Sequence, residues 1–202
     1  MARKYEQKRR AELQQETRRR IAEAALELHG SVGPAKTTIS AIAEKAGVQR
    51  QTFYRHFPDE LSLFRACSSL DLSENPPPDP DLWASIADPE ERLRVALAEL
   101  YAYFRRRERT LANVLRDAEG EAEVNANVRE VLKPMAAHRG RMREVLRAGW
   151  EVPDGASERL LGAAIWVALD FQTWRTMVRE QFLSDEEAIG VMASMVRCLM
   201  RT

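Results

Sequence analysis

The chain has 202 residues, 45% of them hydrophobic, and a formal charge of zero that results from 31 basic and 31 acidic side chains. This size and composition allow a sizeable core, in one large domain or two small ones. There is no run of 18 or more apolar residues and no apolar stretch after the basic N-terminus. Both observations argue against a membrane span or a secretory signal, and we expect a cytoplasmic protein.

The charged residues are unevenly distributed along the chain. Residues 1–65 hold 13 Lys and Arg against 8 Asp and Glu, and residues 66–202 hold the remaining 18 against 23. A basic first third beside an acidic remainder predicts that the first third meets a polyanion. The two cysteines, Cys67 and Cys198, lie far apart and match no metal-ligand spacing, so we expect no metal and no cofactor.

Helical periodicity predicts an all-α chain, with no convincing strand pattern. The segment 30–36 contains two glycines and a proline, which end the first helix. Asp59 is well placed as the N-cap of the fourth helix. The predicted N-terminal helices cover residues 5–29, about 38–46, about 50–56 and a fourth from residue 59.

A proline-rich segment at residues 74–81 predicts a linker or a rigid loop. Asp88 and Pro89 then restart a helix, as N-cap and first helical residue. Shorter helices are expected as far as Trp150, with a kink or break at Pro134. The last two helices are predicted at residues 157–182 and 185–201.

Residues 37–57 have the pattern of a helix-turn-helix. Thr38 can cap the second helix, and Gly47 lies where the turn needs a left-handed backbone. Apolar residues on the two helices predict the contact between them and with the first helix: Ile42, Ala43, Ala46, Val48 and Phe53. In this arrangement the third helix lies in the major groove of DNA.

The third helix carries side chains that suit DNA around the buried Phe53. Arginine can read guanine, glutamine can read adenine, and threonine can contact a thymine methyl group or a phosphate. Tyr54 and His56 are better suited to phosphates, which position a helix without reading sequence. The candidate DNA-binding residues are Thr38, Arg50, Gln51, Thr52, Tyr54, Arg55 and His56. The alternative for this pattern is an ordinary polar face on a short surface helix.

The segment from about Thr17 to Phe64 resembles the DNA-binding domain of the tetracycline-repressor (TetR) family. The most specific parts are Ile42-Ala43, Ala46-Gly47-Val48, the run Thr52-Phe53-Tyr54-Arg55-His56-Phe57, the proline and acid that follow it, and Leu63-Phe64. The resemblance implies a homodimer with an N-terminal arm and DNA-binding domain at 1–64. It also implies a C-terminal ligand-binding and dimerisation bundle at 65–202. The expected function is repression from a palindromic operator, with release by a small-molecule effector.

Glu60 is a departure from the family, which usually has a lysine at the start of the fourth helix that contacts a DNA phosphate. A glutamate there repels phosphate, although it suits a helix N-terminus. We therefore expect one phosphate contact fewer per subunit. The basic arm could compensate by reaching the backbone or a minor groove, and its alternative is a disordered, solvated tail. Its basic residues are Arg3, Lys4, Lys8, Arg9 and Arg10.

The last two predicted helices are apolar on more than one side. One stripe includes Leu160, Ala164, Val167, Phe171, Trp174 and Val178, and another includes Leu161, Ile165, Ala168 and Leu169. Two stripes favour a second partner, and hence a four-helix dimer interface, over a deeper monomeric core. A dimer would place two recognition helices about 34–36 Å apart, in successive major grooves.

A ligand pocket is predicted within residues 88–182. Aromatic walls with a few polar groups are typical of a small-molecule site. The candidate lining residues are Tyr101, Phe104, Asn113, His138, Trp166, Asp170 and Trp174. The alternative for each of them is an ordinary core position.

Two other classes of protein were weighed. An enzyme is not expected, because the three histidines are isolated and neither a phosphate-binding glycine loop nor a metal cluster occurs in the sequence. The second class is a helical architectural or protein-binding module without sequence-specific DNA readout. Its DNA affinity would not change when Arg50 or Gln51 is replaced.

Overall fold

The structure is a computed structural model that describes residues 2–120, 122–152 and 155–200, without the side chains of residues 2–4, 155 and 156. Every regular element in these residues is helical, which confirms the predicted all-α class. None of the described helices is both long and apolar enough to cross a membrane. The α-helices are α1 (Ala2–Val32), α2 (Ile39–Lys45), α3 (Arg50–His56), α4 (Glu60–Glu74), α5 (Pro80–Trp83), α6 (Pro89–Ala118), α7 (Glu123–Arg147), α8 (Gly155–Ala168), α9 (Phe171–Arg175) and α10 (Asp185–Leu199).

The chain forms two compact units. The first comprises Met1–Pro76 and Arg109–Leu132, and the second comprises Pro77–Glu108 and Lys133–Thr202. The first unit therefore extends past the predicted boundary at residue 64. The reason is that α4 continues to Glu74 and buries Cys67 in the same core as α1.

The core of the first unit joins α1, α2, α3 and α4. Ile21, Ala25 and Phe57 are fully buried, and Phe53 is only 2% exposed. The predicted caps of this unit are confirmed. The Thr38 side chain accepts from the backbone N–H of Ala41 at 3.2 Å, and the Asp59 side chain accepts from that of Ser62 at 2.6 Å.

The end of α1 is held by side chains from the last turns of α6. Three of them donate to the final α1 carbonyls: Asn113 to Gly30 (2.9 Å), Arg109 to Ser31 (3.0 Å) and Arg116 to Val32 (3.2 Å). The Asp117 carboxylate accepts from the backbone N–H of Ala35 at 2.8 Å. These bonds satisfy carbonyls that a helix end leaves without an intrahelical donor. Gly33 is required here, because its φ is 96° and a side chain would collide with Arg116 and Asp117.

An aromatic cluster forms the centre of the second unit. Phe104 contacts Phe171 and Trp174, with ring centroids 5.4 and 5.8 Å apart. The Tyr101 hydroxyl donates to the carbonyl of Ala168 at 3.0 Å. Asp88 caps α6 as predicted, by accepting from the backbone N–H of Glu91 at 2.6 Å.

Two predicted helix boundaries are wrong. α7 runs through Pro134 without a break, since a proline removes one helical hydrogen bond while buried residues on both sides, such as Val128 and Met142, hold the helix in place. The predicted helix 157–182 is interrupted after Ala168. There Asp170 begins α9 by accepting from the backbone N–H groups of Gln172 (2.9 Å) and Thr173 (3.0 Å), and a π-helical turn follows at Thr176–Glu180.

Candidate nucleic-acid interface and ligand site

α3 is anchored to the first unit by its one apolar residue. The Phe53 ring packs edge-on against Tyr54 and at a tilt against Phe57, with centroids 5.5 and 5.9 Å apart. Gly47 adopts the left-handed φ of 64° that the turn requires, and the backbone N–H of Val48 donates to the carbonyl of Ala43 at 2.9 Å. Burial of Phe53 therefore fixes which side of α3 faces solvent.

The candidate DNA-binding residues lie around that anchor. Six of the seven are on α3, and Thr38 is at the N-cap of α2. Four α3 side chains are exposed (Arg50, Gln51, Tyr54 and Arg55), and two are half-buried (Thr52 and His56). No acidic residue occurs in α3, so its solvent side is basic and polar. This is the composition that base edges and phosphates require.

Arg18 is a positioning residue that the sequence analysis missed. Its guanidinium donates to the carbonyl of His56 and lies 4.1 Å from the centre of the Phe57 ring. It therefore ties the C-terminal end of α3 to α1. The available signal was its spacing, because Arg18 is three residues before the buried Ile21 and shares its helix face.

The electrostatics near the end of α3 limit phosphate binding. Burial, with the nearby charges of Arg55 and Arg18, lowers the pKa of His56, so its imidazole is neutral at pH 7. Glu60 is exposed in the first turn of α4, next to the Asp59 cap. A neutral His56 can still donate one hydrogen bond to a phosphate, but it adds no charge.

The N-terminal arm is helical from Ala2 and continues into the rest of α1. This excludes a disordered tail for the described residues. The side chains of Tyr5 to Glu16 are all exposed, and Lys8 has only a long ion pair of 3.9 Å with Glu12. The side chains of Arg3 and Lys4 lie outside the described residues.

Comparison with known proteins covers the same segment. Residues 21–67 match the profile of "Bacterial regulatory proteins, tetR family". The chain carries a TetR-family segment. The HTH-type transcriptional regulator SrpR of Pseudomonas putida is 44% identical over 52 residues, which are 26% of this chain and 24% of SrpR. The chain thus matches about a quarter of the length of this curated relative.

Solved structures extend the likeness in fold beyond the TetR-family segment. A tetR-family regulator from Streptomyces coelicolor is 20% identical, with a TM-score of 0.61 over 93% of this chain and 81% of that one. FadR of Bacillus subtilis, in complex with stearoyl-CoA, is 21% identical, with a TM-score of 0.55 over 90% of this chain and 96% of that one. At these identities the likeness shows that the fold is shared.

The predicted ligand-lining residues are not brought together in one place. Tyr101, Phe104 and Trp174 are in the packed aromatic cluster, where the Trp174 indole N–H donates to Asp185 at 2.9 Å. Asn113 is in the first unit, bonded to the carbonyl of Gly30. These four side chains are thus accounted for by packing and hydrogen bonding within the fold.

The other three predicted residues lie on α7 and α8 or beside them. The His138 Nε2 is 2.9 Å from the carbonyl oxygen of Pro78. The Asp170 carboxylate caps α9 and accepts from Arg139 at 2.8 Å. Trp166 is half-buried and lines an open cavity.

Two concave surfaces meet on α8. One is a cavity of about 650 Å³, lined by Arg143, Arg147, Glu158, Arg159, Gly162, Ala163, Trp166 and Val167. The other is an apolar groove of about 260 Å³, lined by Leu160, Ala163, Ala164, Val167, Met192, Met195, Val196 and Leu199. The larger volume is within the range of small-molecule sites. Among the described residues, no three of His, Cys, Asp and Glu come together as a metal site.

Proposed function

We propose that the protein is a sequence-specific DNA-binding transcriptional regulator that represses from a palindromic operator and is released by a small-molecule effector. The observation that carries this proposal is α3. Its Phe53 anchor turns Arg50, Gln51 and Tyr54 toward solvent, within the segment that matches the TetR family. Enzymatic activity is not proposed, since the matched relatives are transcriptional regulators.

Selection of bound sequences from a random duplex pool tests DNA readout directly. We expect a palindrome, recovered at about physiological salt, where non-specific phosphate binding is suppressed. Arg50→Ala and Gln51→Ala should each relax the preference at one base of each half-site, at a cost of about 1–3 kcal/mol. Arg65→Ala, an exposed arginine on α4, is the matched control that should leave the motif unchanged. If no motif is recovered, or if both α3 variants bind as the wild type does, the protein is an architectural or protein-binding module instead.

The proposed dimer uses the apolar groove on α8 and α10. Leu160, Val167 and Met195 are 55%, 47% and 54% exposed, whereas Ile165 on the opposite side of α8 is fully buried. Exposed aliphatic side chains in one patch on two helices favour a second copy of the same surface, as in a four-helix interface. Such a dimer supplies the two recognition helices that a palindrome needs.

A pair of charge substitutions tests this interface. Val167→Glu lies in the groove and should convert the dimer to a monomer in light scattering. Leu82→Glu replaces an equally exposed leucine away from it and should leave the mass unchanged. A monomeric wild type, or a Val167→Glu protein that stays dimeric, contradicts the proposed interface.

Effector control is proposed as a shift between two states. The bound effector would favour an arrangement in which α4 has moved and the recognition helices no longer fit adjacent grooves. The structure of FadR with stearoyl-CoA supports small-molecule binding by this fold. Because an effector shifts the equilibrium only by its differential affinity, it must weaken operator binding in a titration. Independent binding of effector and operator contradicts this part of the proposal.

A further inference from the structure

We propose that the cavity between α7 and α8 binds an amphipathic organic anion, a small molecule with an acidic head group and a flat apolar body. The proposal deepens the effector control proposed above, on which it rests for its biological role. It differs from the predicted site in using an arginine-rich wall in place of the aromatic cluster. Four observations carry it: charge, free donors, an aromatic surface and volume.

The cavity wall has an excess of positive charge among the described side chains. Three arginines line it: Arg143, Arg147 and Arg159. Their neighbouring carboxylates are Glu144, which accepts from Arg143 at 2.8 Å and from Arg147 at 3.1 Å, and Glu158, which accepts from Arg147. Two carboxylates for three guanidinium groups leave room for one further anion. Guanidinium groups are well suited to carboxylate, sulfonate and phosphate oxygens.

Two guanidinium groups at this site retain a donor. The Nε–H groups of Arg139 and Arg147 are buried, and no described atom accepts a hydrogen bond from either. The Arg147 Nε lies beside Gly162, since a methyl group built on that glycine would be 3.9 Å from it. A buried donor without an acceptor is costly, so an anion in the cavity would remove that cost.

Trp166 provides the surface for an apolar body. The guanidinium of Arg139 is 3.8 Å from the centre of the Trp166 ring, and that of Arg143 is 5.5 Å away. This cation–π contact places positive charge beside a flat hydrophobic face. Gly162 and Ala163 keep the neighbouring wall low, which leaves the volume of about 650 Å³ open.

A matched pair of fluorescent probes tests the proposal on the full chain. 1-Anilinonaphthalene-8-sulfonate and N-phenyl-1-naphthylamine have the same aromatic body, but only the first carries a sulfonate. We expect the anionic probe to bind saturably, about tenfold or more tightly than the neutral one, and to weaken as salt is raised. Equal affinities for the two probes, or no saturable binding of the anion, would overturn the proposal.

Variants assign the binding to this cavity. Arg143→Gln and Arg147→Gln should each weaken the anionic probe about tenfold and leave the neutral probe within about twofold. The control is Arg141→Gln, which removes an exposed arginine from the same helix, paired with Asp81 and not in the cavity wall. If Arg141→Gln has the same effect as the other two, the anion is held by the general charge of α7 and the proposed site is wrong.

Gly162 allows a test that does not alter any charge. Gly162→Leu should fill the cavity and abolish binding of the anionic probe. Gly162→Ala should retain it, because the added methyl group would make only an ordinary contact, 3.7 Å from the Arg147 Cδ. Undiminished binding to a folded Gly162→Leu protein contradicts the assignment, even if an arginine variant has failed to fold.

DNA binding is measured on the same samples so that the two proposals can fail separately. A protein that selects a palindrome but does not prefer the anionic probe refutes the anion site alone. A protein that binds the anion as expected but selects no duplex refutes the regulator proposal and leaves a binding site without that role. Release of the selected duplex by the anionic probe, and its loss in Arg147→Gln, would join the two.

Discussion

His29 makes the stability of the DNA-binding unit depend on pH. It is 5% exposed, and its ring stacks on Phe64 with centroids 5.0 Å apart. Burial lowers its pKa from 6.5 to about 4, although the nearby Asp117 acts in the opposite direction. Because the folded-state pKa is the lower one, the fold favours neutral His29. Its contribution to stability is complete above about pH 6.5 and is lost as the pH falls from there toward 4.

The size of the loss follows from the two pKa values. At about 1.4 kcal/mol per pH unit, the interval from 6.5 to about 4 limits it to about 3 kcal/mol, of which about 2 kcal/mol is lost by pH 5. The carboxylates with lowered pKa values contribute below their ordinary range, and so outside this window. They are Glu108, Glu144, Asp185 and Glu187.

Urea unfolding followed by circular dichroism at pH 7.5 and pH 5 measures the effect. We expect the wild type to lose about 2 kcal/mol between these values, and His29→Phe to lose much less. His138→Gln is the control, since His138 is half-buried in the second unit and should not change the pH dependence. If His29→Phe keeps the full loss, the desolvation argument is refuted and another group titrates in this range.

Three further predictions concern the first unit and α7. Phe53→Ala should cost about 3–5 kcal/mol in urea unfolding, whereas Tyr54→Ala should cost little stability and weaken operator binding; equal losses of stability would contradict the assigned anchor. Gly33→Ala should lower the melting temperature because of its φ of 96° and its contact with Arg116. The control Gly140→Ala in α7 has open space around it and should raise the melting temperature slightly. Glu60→Lys should tighten operator binding and steepen its salt dependence by about 0.9 per new phosphate contact, and an unchanged slope would show that this position does not face the backbone.

The DNA-binding segment could be predicted because its signals are local. Thr38, Asp59 and Asp88 are caps that each act within one turn of helix, and the structure confirms all three. Gly47 follows from the backbone that a tight turn requires. The alternation of buried Phe53 with polar neighbours defines the outer side of α3 without knowledge of any distant contact. The sequence could not reveal Arg18 as easily, since its partners are 38 and 39 residues away.

The interruption at Asp170 shows where local reasoning fails. An aspartate inside an apolar helical pattern is compatible with a continuous helix, at a small cost in propensity. The helix ends there because the carboxylate has three partners: the N–H groups of Gln172 and Thr173, and Arg139 from α7. Pro134 is the opposite case. Its local signal is strong, yet α7 continues through it because packing elsewhere along the helix outweighs one missing hydrogen bond.

The ligand residues were harder to predict for a related reason. Aromatic residues with nearby polar groups describe both a pocket and a core whose polar atoms are satisfied, and Tyr101 and Trp174 are of the second kind. What separates Trp166 from them is the absence of material on one side, where Gly162 and Ala163 leave space. Space is a property of several helices at once and has no counterpart in a single periodic pattern. An unpaired donor such as the Arg147 Nε–H is likewise visible only in three dimensions, and it is the more selective indicator because a packed core rarely leaves one.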